Sequence, residues 1–279
     1  MFRRPLWIVA ALVLALVAGT TPARAADPVL VPVFDGKTLD GWTAHAKDAF
    51  VVKNGAIHSR KNASRGWIYY NKRQYKSFRW IFKVRQVSGD HQPTVLIWGK
   101  VQTPPLNGLG AIQFQPPNGG AWDYRPGHNN GGKGLFTRYP HPRWDIKKWA
   151  QCEILANGDT VIARMACCPL PDGATKCKAQ EVLKFEDKKE PAGREAPLAI
   201  QIHNKGIEDE YKDLVVESPV ADPAKFITTQ ALGRARPAQR VSRPPRDVGR
   251  PTPRPAAEPP AAPACCRGTG AGPRATRAG

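Results

Sequence analysis

The sequence predicts an all-β protein: a two-sheet antiparallel β-sandwich of the jelly-roll kind, followed by a disordered C-terminal tail. Three observations predict it. About ten short apolar or alternating runs are separated by Gly, Pro and Asn clusters, the punctuation of a sandwich or barrel. Two Asn-Gly pairs, Asn54-Gly55 and Asn157-Gly158, sit between such runs, where both positions tolerate positive φ in a tight hairpin. After the first residues, no window of ordinary helix length shows a clean 3.6-residue period, which excludes a parallel α/β fold with helical crossovers.

Taken in order, residues 1–25 read as a signal peptide. Arg3 and Arg4 precede an apolar run over residues 6–18, and Ala23-Arg24-Ala25 is a small-x-small cleavage site. The run is short for a permanent membrane helix. The expected mature chain starts at Ala26, is exported to the periplasm or secreted, and has no membrane span after cleavage. Residues 26–232 form the predicted sandwich domain. Residues 49–52 and 56–59 flank Asn54-Gly55 as a hairpin. In residues 78–85, Phe78, Trp80, Phe82 and Val84 alternate with Arg79, Ile81, Lys83 and Arg85, a period of two with one apolar exception. Further strands are expected at residues 94–98, 111–115, 151–155, 160–165, 181–185, 198–202 and 214–217. From residue 233 the composition turns to Arg, Pro, Ala and Gly, with too little apolar surface to offset chain entropy.

The formal net charge of +19 belongs largely to the ends. Three arginines lie in the leader, and the tail carries ten against Asp247 and Glu258. Removing that net of three and eight leaves about +8 for the body, a modest excess. No nucleic-acid partner is expected, because the tail arginines have no interleaved aromatic residues and no packed module to present them. Of six cysteines, Cys152, Cys167, Cys168 and Cys177 lie in the body. Export permits disulfides, and Cys167 or Cys168 paired with Cys177 would staple a short loop. The spacing matches no zinc pattern. Gly131-Gly132-Lys133-Gly134 lacks the spacing of a phosphate loop, and Ser59 and Ser64 lack the surroundings of a nucleophile elbow.

Two blocks frame the body. The first is Val33-Phe34-Asp35-Gly36-Lys37-Thr38-Leu39-Asp40-Gly41-Trp42. The second is Pro197-Leu198-Ala199-Ile200-Gln201-Ile202-His203-Asn204, running on to Glu210-Tyr211-Lys212-Asp213. They resemble the opening and closing strands of the 3-keto-disaccharide hydrolase domain family, and the resemblance covers roughly residues 31–218. It implies a concanavalin A-like sandwich, an exported protein, a carbohydrate substrate, and cleavage of glycosides whose sugar carries a ketone at carbon three. That ketone acidifies the hydrogen on carbon two and places the carbon-one substituent β to a carbonyl. One base can then remove the proton and release the aglycone, after which water adds to the enone. Such a site needs a base and an electrophile for the enolate, either a donor or a divalent cation.

His203 matches the histidine of the family's Gln-x-His motif and is a candidate base or metal ligand; a hydrogen-bonded histidine at a strand end is the plainer alternative. Glu210 stands above its neighbours Glu208, Asp209 and Asp213 because it falls in the matching closing block. Gln113 matches the glutamine of the family's Glu-x-Gln strand, but Ala111 occupies the glutamate position, which also admits a noncatalytic, lectin-like role. The following Gly-, Pro- and Asn-rich segment concentrates Trp122, Asp123, Tyr124, Arg125 and His128. Aromatic faces suit pyranose rings and the polar groups suit hydroxyls, so these five are candidate sugar-binding residues. The competing reading is a packed loop that caps the core.

Overall fold

A computed structural model describes residues 29–100, 110–128, 134–171, 174, 177–190 and 195–228. The leader and the tail lie outside the described residues. The first strands are β1 (Val31–Pro32), β2 (Trp42–Ala44), β3 (Phe50–Lys53), β4 (Ala56–Ser59) and β5 (Gly66–Tyr70). Then come β6 (Phe78–Ser88), β7 (Thr94–Ile97), β8 (Ile112–Phe114), β9 (Ala121–Asp123) and β10 (Phe136–Arg138). The last are β11 (Ala150–Asn157), β12 (Ile162–Pro169), β13 (Gln180–Glu186), β14 (Ala199–Ile202) and β15 (Glu208–Glu217). Among the described residues there is no helix, and so none long and apolar enough to cross a membrane.

The strands form two antiparallel sheets, as the alternation predicts. One runs β10-β13-β12-β11-β6-β15-β4-β3 with β1 added to β15; the other runs β2-β5-β14-β7-β8-β9. The Asn54-Gly55 turn forms as expected, with φ of 51° and 75° and Lys53 paired to Ala56. The β11–β12 hairpin closes from Asn157 to Ile162, so its turn is two residues longer than a minimal one. Phe78, Trp80, Phe82 and Val84 of β6 all enter the core. There they share one cluster with Ile68, Val95, Ile97, Ile112, Phe114, Ile200 and Ile202 from the six-stranded sheet. Burying these large side chains between two inner faces is the main stabilising term of such a sandwich.

Two polar devices fasten the layers. Tyr211 of β15 crosses the core, accepting from the Thr94 backbone N–H at 2.9 Å and donating to the Thr94 carbonyl at 3.1 Å. On the outer side of β6, the buried Arg79 guanidinium bonds to Glu153 and Glu217. It also donates to the carbonyls of Asp222 and Lys225, while Glu153 accepts from the N–H groups of Ile227 and Thr228. The segment after β15 is thereby strapped across the nine-stranded sheet. Cys168 pairs with Cys177, which selects one of the two staples open to the sequence. Cys152 and Cys167, cross-strand partners on β11 and β12, are buried free thiols.

Asp209 sits inside the sandwich with Gln86, whose amide donates to it at 3.3 Å. Burial pushes its carboxyl up to about 8, whereas an unfolded chain releases that proton near the ordinary value of about 3.9. Between those values the native state holds the extra proton, so this group's contribution to stability is lost as pH rises from about 4 to about 8. The variant Asp209→Asn keeps the polar contacts without titrating. Urea unfolding should show the unsubstituted chain losing stability relative to this variant between pH 5 and pH 8; parallel pH profiles would contradict the assignment.

Candidate functional site

The six-stranded sheet has a second face, and strand alternation decides what stands on it. Val95 and Ile97, Ile112 and Phe114, and Ile200 and Ile202 point into the core, so Leu96, Gln113 and Gln201 point outward. Trp67, Leu96, Ala111 and Ala199, with Tyr69, form a separate apolar cluster on that outer face. Register places Tyr69, Ala199, Leu96, Gln113 and Trp122 in one row across β5, β14, β7, β8 and β9. Trp67, Gln201 and Thr94 form the next row. The ladder extends by one bond from the Tyr124 N–H to the Ala111 carbonyl at 2.9 Å, which sets Tyr124 opposite Ala111.

Although this face lies outside the main core, it is closely covered: Trp67 is 3% exposed, Gln113 1% and Gln201 2%. The Oε1 atoms of Gln113 and Gln201 are buried with no hydrogen-bond partner. An unmet buried acceptor costs about 1–3 kcal/mol; Trp80 Nε1 in the core and His45 Nε2 are unmet as well, and the two glutamines differ from Trp80 in standing on the outer face. Two strand spacings separate them, roughly 10 Å across the sheet, with roughly 7 Å along it.

A pair of imidazoles stands at the end of β14, in contact with Gln115. His203, just past β14, stacks on His91 with ring centroids 3.4 Å apart and planes 13° apart. Nδ1 of His91 faces the Gln92 carbonyl at 2.9 Å and Nε2 faces the Gln115 amide nitrogen at 3.1 Å. Nδ1 therefore carries the proton and Nε2 accepts. Burial, and then the neighbouring His203, hold His91 below its ordinary pKa, so it is neutral near pH 7. His203 Nδ1 faces Asn204 Oδ1 at 2.8 Å, which assigns its proton to Nδ1 and leaves the Nε2 lone pair outside that bond. Gln115 leads on to Trp122 through Gly120. A Cβ there would stand 2.8 Å from Trp122 Cζ3 and 2.9 Å from Gln115 Oε1, and the backbone φ is +144°, so only glycine fits.

Of the residues singled out in the sequence, the structure thus brings His203, Gln113, Trp122 and Tyr124 to one face. Glu210 does not join them. It lies on β15 of the other sheet, paired with His58 at 3.2 Å and Arg85 at 2.7 Å. Asp123 and Arg125 are also absent from the face, because they bind each other. The buried Arg125 guanidinium meets Asp123 at 2.8 Å and Asp187 at 2.7 Å, and also contacts Glu190. His128 joins the same cluster through Asp187 and Glu190. Asp123, Arg125 and His128 are internal ties between β9 and the end of β13, the packed-loop alternative.

His128, Asp187 and Glu190 are also the one set among the described residues whose ligand atoms, within 4.8 Å of one another, resemble a metal site. It does not fit a hard cation: the Arg125 guanidinium already bonds to both carboxylates. Nor does any strand of the six-stranded sheet carry Asp or Glu on its outer face among the described residues. Sequence reasoning missed Gln201, Trp67, His91 and Gln115 as site residues. A signal was present: Ile112-Gln113-Phe114-Gln115 and Ile200-Gln201-Ile202-His203 share one apolar-polar alternation, which puts two polar side chains on the face opposite the core.

Residues 30–217 match the 3-keto-alpha-glucoside-1,2-lyase-like domain. No curated protein matches the chain. Among solved structures, a candidate glycosyl hydrolase from Parabacteroides distasonis is similar at 12% identity. That match covers 67% of this chain and 93% of that one, with a TM-score of 0.45. A Bacillus subtilis protein of unknown function with a galectin-like fold aligns at 7% identity over 64% and 90% of the two chains, TM-score 0.45. Lectin II from Ulex europaeus aligns at 10% identity over 63% and 91%, TM-score 0.44.

The unmet amides make a direct prediction. Replacing Gln201 by Met removes a buried acceptor that has no partner, and such exchanges are close to neutral or stabilising. Gln201→Met should leave the urea midpoint unchanged or raised while saccharide affinity falls at least about tenfold. A clear loss of stability would show that the amide is held by the fold and not set for a ligand.

Proposed function

The chain belongs to the 3-keto-alpha-glucoside-1,2-lyase-like domain family, and on that premise we propose that it cleaves 3-keto glycosides on the outer face of the six-stranded sheet. The observation that carries this reading is the pair of buried, unpartnered amide oxygens on Gln113 and Gln201, flanked by Trp67 and Trp122. Sugar hydroxyls are the donors such oxygens require, and indole faces suit the C–H surface of a pyranose.

His203 is the base in this mechanism. Its Nε2 takes the proton from carbon two, and the Asn204 side chain holds the Nδ1 proton through the transfer. The electrons of the C2–H bond form the carbon one–carbon two double bond as the C1–O bond breaks. The departing aglycone oxygen takes up a proton from water, and the His203 imidazolium gives its proton back to solvent. The carbon-three oxygen gains negative charge in the transition state, and the amide N–H groups of Gln113 or Gln201 are the donors placed to receive it. Water addition to the enone completes a net hydrolysis. The composition of residues 1–25 supports an activity outside the cytoplasm, in the periplasm or secreted.

One specific observation favours a second reading, a noncatalytic carbohydrate-binding module. Ala111 holds the position where the family strand has a glutamate, and no carboxylate among the described residues replaces it on that face. The two readings separate in one experiment: incubate the full chain with a 3-keto glucoside, with and without divalent cations. The proposal expects aglycone release, with His203→Gln lowering kcat about a hundredfold or more at similar KM. Saccharide binding without release under either condition would leave only the binding module.

A further inference from the structure

A recess beside Gln92, the residue that follows His91, has a different chemistry. It is a cavity of about 280 Å³ whose lining includes Gln92, Asn118, Arg138, Tyr139, His141 and Arg143, with no Asp or Glu among the lining residues. Some lysines and arginines elsewhere pair with carboxylates, as Lys72 does with Asp40, Lys76 with Asp159, Lys83 with Asp213, and Arg164 with Glu181. Arg138 and Arg143 do not; among the described residues neither forms an ion pair, and Arg138 reaches only the Gly119 carbonyl at 3.4 Å.

His141 forms part of the same wall. Its Nδ1 lies 2.7 Å from the Pro142 carbonyl and its Nε2 lies 3.2 Å from the Asn118 carbonyl. The wall is also braced. The Asn118 side chain donates to the Trp144 carbonyl at 2.9 Å and accepts from its N–H at 2.8 Å, and the His141 ring lies against Trp144 at 4.8 Å. Two guanidinium groups beside a braced loop, facing a cavity without a compensating carboxylate, form a receptor for an anion.

Position connects this receptor to the outer face. Gln92 belongs to both: its side-chain oxygen accepts from the Asn118 N–H at 3.2 Å, and its carbonyl accepts from His91. His91 in turn stacks on His203. We propose that this cavity is an anion subsite that takes a carboxylate or phosphate carried by the aglycone of the glycoside. The inference rests on the saccharide reading above and narrows its substrate class to acidic glycosides.

Binding is read separately from turnover. Phenyl, 4-carboxyphenyl and 4-phosphophenyl α-glucosides, which lack the ketone, are titrated calorimetrically into the full chain at low salt. Their 3-keto counterparts are assayed for release. The acidic probes should bind about fivefold tighter than the phenyl probe, the scale of exposed charge pairs, and 0.5 M salt should shrink the preference. In the double variant Arg138→Gln/Arg143→Gln the ratio should fall to about one, with the phenyl glucoside unaffected. The tighter of the two acidic probes identifies the anion. Equal affinity for all three probes, or a preference that survives the double substitution, overturns the subsite. A charge-dependent preference without release of any 3-keto substrate upholds the subsite and removes the lyase reading; release without preference does the reverse. Failure of every probe to bind removes both.

Discussion

Side-chain alternation along β8 and β14 governs what this molecule can offer a ligand. In each strand the isoleucines enter the core and the glutamines leave it, so the same few residues both hold the sandwich and equip its outer face. A slip of one residue in register would turn Gln113 and Gln201 toward Trp80 and Phe82 and would turn Ile112, Phe114, Ile200 and Ile202 outward. The core makes that slip prohibitive, and Tyr211 adds a fixed point by reaching from β15 to both backbone groups of Thr94. The register is therefore held from inside, while the consequences appear outside.

Polar burial is handled in two contrasting ways. The Arg79–Glu153–Glu217 and Arg125–Asp123–Asp187 clusters are saturated: each guanidinium is surrounded by acceptors, and removing it would strand buried carboxylates at a cost of about 3–5 kcal/mol. Such groups are committed to structure. Gln113 and Gln201 are equally buried, yet each keeps one oxygen unmet. Trp80 Nε1 in the core is unmet too, so what distinguishes the two glutamines is the unmet oxygen together with their place on the outer face. The contrast also explains why the charged residues of the segment after β8 hold the fold and the uncharged amides face the candidate site.

The fold was legible because its signals are local. Alternation in residues 78–85, the Asn54-Gly55 turn and the absence of helical periodicity each follow from backbone geometry and needed no partner strand. The staple was legible only to the choice between Cys167 and Cys168, which depends on which of two adjacent cysteines faces outward on β12. Site residues divided along the same line. His203 and Gln113 were visible through resemblance, and Trp122 and Tyr124 through composition. His91 and Trp67 were not visible, because their place beside His203 and Gln201 arises from strand pairing across long sequence separations. Glu210 lay in a matching block but points away from the outer face of the six-stranded sheet, toward His58 and Arg85, a fact that one-dimensional spacing does not contain. Asp123, Arg125 and His128 had a composition suited to hydroxyls, but the fold pairs Asp123 with Arg125, and Arg125 and His128 with Asp187 and Glu190.

The outer face of the six-stranded sheet, with its two waiting amides between indole rings, is the centre of this account. A crystal structure of the full-length His203→Gln variant soaked with a 3-keto glycoside addresses it most directly. The account predicts sugar density between Trp67 and Trp122, with hydroxyls donating to Oε1 of Gln113 and of Gln201. Density on the nine-stranded sheet instead, for example over Trp149 beside Arg85 and Lys212, would contradict it.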